Sequence, residues 1–70
     1  MAMDYDVQRL ELGDVVLIDL DSQEGQVEAE VVRNIDRTET AVRVTLRVDG
    51  RADFVREWRL GEQVTVVRGP

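Results

Sequence analysis

From Gly13 onward, apolar and polar positions alternate with a period of two, the pattern of half-buried strands. Val16, Ile18 and Leu20 share one face of a strand over residues 15–20. Val27, Ala29 and Val31 alternate with Glu28 and Glu30, and this second strand runs on through Val32 and Ile35. The clearest alternation puts Val42, Val44, Leu46 and Val48 on one face and Arg43, Thr45 and Arg47 on the other. A short valine-rich strand over residues 64–67 comes last, before Gly69 and Pro70 stop the pairing. Turn chemistry separates these runs: Gly13-Asp14, the polar stretch DSQEGQ at 21–26, DRTE at 36–39, Asp49-Gly50, and RLGEQ at 59–63, which reads as a tight or single 3₁₀ turn.

Strand parity decides the hairpin around Asp49-Gly50. A two-residue turn sets Leu46 against Asp53 and Val42 against Glu57, core positions against carboxylates. A three-residue loop over 49–51 instead pairs Val48 with Ala52, Leu46 with Phe54 and Val42 with Trp58 inside, and Arg47 with Asp53 and Arg43 with Glu57 outside. Only Arg56, opposite Val44, fits badly, and a bulge or an arginine stem lying along the rim accommodates it. Before Leu12 no period is visible. Tyr5, Leu10 and Leu12 are its anchors, and residues 1–11 are predicted to form a loose tail or a short helical turn. The expected fold is all-β: one five-stranded antiparallel barrel over residues 12–70, closed because an open sheet leaves reactive edges.

Leu12-Gly13-Asp14-Val15-Val16 resembles the "GD-x-V" opening of the SH3-like small barrels, a group that includes Tudor and KOW domains. Gly25 before the second strand, the Asp49-Gly50 hairpin and the short turn from Trp58 to Gly61 extend the resemblance over residues 12 to 67. It implies the barrel fold. The ligands of such barrels transfer poorly, because peptide grooves and methyl-lysine cages need clustered aromatics and this chain has only Tyr5, Phe54 and Trp58. KOW-type RNA or protein binding uses basic loops, and DSQEGQ is acidic.

Composition removes most chemistry. The 70 residues contain no cysteine and no histidine, and all nine cations are arginines. There is thus no thiolate nucleophile, no imidazole base, no lysine for a Schiff base and no soft metal ligand, so an enzyme is not expected, nor a cofactor. Arginine without lysine points to coding in a GC-rich, bacterial genome. MAMDYD lacks the basic and apolar regions of a signal peptide, and the longest aliphatic run, residues 15–18, is far too short for a membrane span. No membrane association and a cytoplasmic location are the expectations.

The net charge of −6 is unevenly spread, with nine acids against Arg9 in residues 1–30 and eight arginines against six acids in residues 31–70. Two constellations carry candidate chemistry. Asp19, Asp21, Gln23 and Glu30 occupy positions 1, 3, 5 and 12 of a calcium-loop template, but Glu24 replaces its glycine and the flanks are strands, so a solvated acidic loop is the reading. The other is the arginine-rich stretch 41–60. Trp58 with Arg56 and Arg59 suits a partner hot spot at a barrel end, or a core tryptophan flanked by solvated arginines. Arg43 and Arg47 are expected to be neutralised by Glu57 and Asp53, leaving Arg33, Arg37, Arg51, Arg56, Trp58 and Arg59 as candidate partner-binding residues. The predicted function is a monomeric, non-enzymatic module binding another protein. The alternative is an RNA- or single-strand-binding barrel linked to transcription or translation.

Overall fold

The computed structural model describes residues 3–20 and 25–69. Its strands are β1 (Met3–Asp6), β2 (Val15–Asp19), β3 (Gln26–Arg37), β4 (Ala41–Arg47), β5 (Phe54–Arg59) and β6 (Gln63–Arg68), with a single 3₁₀ turn at Val7–Arg9. All pair antiparallel in one six-stranded sheet of order β1-β6-β2-β3-β4-β5. The fold is therefore all-β, as the alternation predicts.

One expectation is corrected: the sheet has six strands and is not closed. Of the N-terminal segment expected as a loose tail or a short helical turn, Val7–Arg9 form the turn and Met3–Asp6 form β1. Closing a five-stranded barrel requires β5 to reach the second edge of β6. That edge is taken by β1, with Met3 opposite Val66 and Asp6 opposite Gln63. The 3₁₀ turn continues the attachment, because the Val7 N–H donates to the Glu62 carbonyl at 3.0 Å. Val7 and Leu10 are completely buried, Tyr5 is half-buried, and Leu12 is exposed.

A single sheet can bury one face only by curling around it. Two irregularities in the long β3 produce the bend: its register against β4 shifts between Val31 and Arg33 and again between Arg33 and Asp36. Asn34, at φ 58, takes the left-handed conformation that the second irregularity demands and that asparagine tolerates. The enclosed core gathers Val16, Ile18, Ala29, Val31, Val42, Val44, Leu46, Val64 and Val66 with Val7 and Leu10.

The β4–β5 hairpin has the register parity requires, with Leu46 opposite Phe54, Val42 opposite Trp58 and Arg43 opposite Glu57. The Arg51 N–H donates to the Val48 carbonyl at 3.1 Å, and Gly50 supplies the positive φ, 80°, at the third turn position. Phe54 and Trp58 pack against the core but are only half-buried, because β5 is an edge strand with one neighbour. No helix among the described residues is long and apolar enough to cross a membrane.

Candidate functional site: the outer face of β3, β4 and β5

Outward-facing residues of three adjacent strands form a lattice of charge. In the first row Glu30 on β3 stands opposite Arg47 on β4, whose Nε donates to Asp53 Oδ1 at 3.0 Å. In the second, Arg33 stands opposite Thr45, and Thr45 opposite Val55. In the third, Asp36 stands opposite Arg43, and Arg43 opposite Glu57, to which its guanidinium donates at 2.9 Å. Four carboxylates thus surround three guanidiniums. Val55, 60% exposed, sits among them as an isolated apolar spot.

Asp53 is the most constrained member. It accepts from Arg47 on one side and from Arg33 Nη2 at 2.7 Å on the other, although Arg33 comes from a different strand. Hydrogen bonds from Arg47 and then Arg33 hold its carboxyl at about 2, below the ordinary 3.8. The same contact with Asp53, helped by Glu30, raises the Arg47 guanidinium further above its usual value. Thr45 is buried although it faces outward between Arg33 and Val55, and stems of neighbouring side chains suffice to cover it.

The candidate arginines are not brought together. Arg33, expected to be free, is paired with Asp53, because the first shift in β3 sets it opposite Thr45, within reach of a carboxylate that hairpin parity assigns to Arg47 alone. Arg37, also expected to be free, donates to the Leu10 carbonyl at 2.6 Å and the Gln8 carbonyl at 3.3 Å, pinning β3 to the segment after β1. Arg56 points to the inner face. It is half-buried, lies 5.8 Å from the Trp58 ring and donates to the Asp19 carbonyl at 3.4 Å, so its stem does lie along the rim. Trp58 packs on the core and is half-buried. Arg59 points outward beyond the third row, its backbone N–H capped by the Glu62 carboxylate at 2.7 Å. Arg51 is exposed at the hairpin tip, away from Arg37 and Arg59 at the other end of the strands.

Reasoning from hairpin parity finds the Arg47, Arg43, Asp53 and Glu57 columns and misses Glu30, Asp36 and the second role of Asp53. The missing signal lies in β3, whose irregularities defeat period-two counting. Asp21 and Gln23 of the calcium-loop template lie outside the described residues, and among the described residues no three carboxylates converge on a point that would hold a metal ion. Set against protein-family models, curated proteins and solved structures, the chain matches none.

Proposed function

We propose that the chain is a monomeric, cytoplasmic, non-enzymatic binding module of SH3-like strand order, whose outer β3-β4-β5 face docks another protein. The observation that carries this reading is the charge lattice around Val55. Phosphate binding wants guanidiniums gathered without compensation. Here Arg33, Arg43 and Arg47 stand among Glu30, Asp36, Asp53 and Glu57. Charges of alternating sign at fixed positions select a partner with the complementary pattern and set its register, and an exposed valine at the centre offers a contact that desolvates on docking. The strand order β6-β2-β3-β4-β5, a meander whose last strand returns beside its first, supports the SH3-like assignment.

A photo-crosslinking residue at position 55, in the native host, tests this. The expected product is a discrete protein adduct that nuclease leaves intact, that weakens as salt screens the lattice, and that is absent when the probe is at Asp4, exposed on the opposite edge strand. Loss of the adduct on nuclease treatment, or equal crosslinking from both positions, would refute the assignment.

A further inference from the structure

Below the third row of the lattice, three open grooves join end to end. The first, about 580 Å³, lies between Leu60 and Ala41. The next, about 430 Å³, shares Ala41 and Glu57 with it and extends to Ile35 and Arg37. The last, about 620 Å³, shares Ile35 and Arg37 and ends at Leu12. Their shared lining residues place them one after another around the β3–β4 turn as a shallow, open channel with an apolar line along it: Leu60, Ala41, Ile35, Leu12.

Two features distinguish this channel from ordinary surface. Leu12 and Leu60, 54% and 40% exposed, are two of the four large apolar side chains exposed among the described residues, and they stand at its opposite ends. Its charged rim also carries one negative charge in excess. Arg43 is paired with Glu57. Asp36, Glu39 and Glu11 line the channel with no ion pair to any described residue, against Arg59 and Arg37, whose bonds to neutral carbonyls leave it cationic.

We infer that this channel holds an extended segment of the partner protein in which apolar side chains alternate with basic ones. The inference rests on the protein-binding reading and names the surface and partner chemistry within it. Three strand spacings of about 4.8 Å make the path roughly 15 Å, the reach of about five extended residues. In such a segment alternate side chains point the same way, so apolar residues meet Leu60, Ala41, Ile35 and Leu12 while the basic ones face Asp36, Glu39 and Glu11. An acidic or purely polar segment lacks one of the two complementarities.

The test titrates the ¹⁵N-labelled full chain with three soluble peptides carrying the cores LRLRL, LELEL and SRSRS, and with a mixed-sequence RNA 12-mer. The LRLRL peptide is expected to shift the amides of Leu12, Ile35, Ala41 and Leu60 and to bind at least tenfold tighter than either other peptide. Leu60→Ser and Leu12→Ser, both at exposed positions, are expected to weaken it tenfold, and Asp36→Asn with Glu39→Gln to remove its preference over LELEL, with Trp58 fluorescence unchanged. No shift in the channel, equal binding of all peptides, or indifference to the leucine variants overturns the inference. If position 55 still yields its nuclease-resistant adduct in that case, the protein-binding reading survives and only the channel assignment falls. RNA shifting the same amides more strongly than LRLRL overturns both, and a concentration-dependent dimer abolished by Leu60→Ser assigns the channel to a second copy and overturns it too.

Discussion

Leu10 and Leu12 are two residues apart in a stretch that carries no visible period, and the fold separates them completely: Leu10 is fully buried and Leu12 is 54% exposed. Leu10→Ala removes three carbons from the core, about 2.4 kcal/mol at roughly 0.8 kcal/mol for each. The cavity left behind raises the cost, and fully buried leucines span about 2 to 5 kcal/mol. A chain of 70 residues has a total stability on the order of 4 to 10 kcal/mol, so this one truncation removes about a fifth of it at the least. Leu12→Ala is the internal control and should stay within about 0.5 kcal/mol. Urea unfolding followed by Trp58 fluorescence reads both, since Trp58 packs on the same core from β5 while residue 10 approaches it from the N-terminal side. With a slope near 1 kcal/mol per molar, typical of the smallest domains, the Leu10→Ala midpoint should fall by about 2 M or more. A shift below about 0.5 M, equal to that of Leu12→Ala, would mean that the segment after β1 contributes nothing to the core, and the six-stranded description would have to be abandoned.

Other outcomes follow from the same geometry. Leu46→Ala, at a fully buried central position, should cost about 2 to 5 kcal/mol, and Phe54→Ala, half-buried on the edge strand, should cost less than the roughly 3 to 5 kcal/mol of an enclosed phenylalanine; the reverse order in denaturant melts would place β5 inside the core. Because the folded Asp53 carboxyl titrates at about 2 and its unfolded counterpart near 3.8, its contribution is complete above about pH 5 and is lost progressively as pH falls through 4 toward 2. Asp53→Asn should therefore lose stability at neutral pH and show a shallower decline between pH 4 and 2 in thermal melts, and an unchanged acid slope would contradict the Arg33–Asp53–Arg47 arrangement. Arg37→Met keeps the aliphatic stem but gives up the bonds to the Leu10 and Gln8 carbonyls, so hydrogen exchange should accelerate at the 3₁₀ turn before it does in β4.

How much of this was legible in the sequence varies from strand to strand. β4 was, since a seven-residue run of strict alternation bounded by Asp49-Gly50 leaves only one parity that keeps carboxylates out of the core, and the Arg43–Glu57 and Arg47–Asp53 pairs follow from it. β1 was not. Four residues with acids at the second and fourth positions carry no apolar alternation strong enough to stand alone, and their pairing is dictated by β6, sixty residues away. β3 was legible in existence and illegible in detail, because each register shift moves the following side chains relative to β4, and nothing local in VVRNID fixes where they fall beyond an asparagine able to take a positive φ. The consequence reached the candidate site directly: Arg33 and Arg37, read as free cations, are held by Asp53 and by main-chain oxygens.

Arg56 has a further effect, on solubility. β5 is the last strand of an unclosed sheet with a single neighbour, so its other backbone edge is a template on which another chain's strand could extend the sheet. A hydrophobic residue at position 56 would complete an inner row with Phe54 and Trp58 and improve the core pattern, while making that edge uniformly apolar on one side. The guanidinium prevents this: a strand added beside β5 would have to bury the charge or displace it from Trp58 and the Asp19 carbonyl. Arg56→Leu should then raise the folding midpoint or leave it level while the protein begins to aggregate at concentrations where the parent stays monodisperse by light scattering, stability and solubility moving in opposite directions through a single side chain.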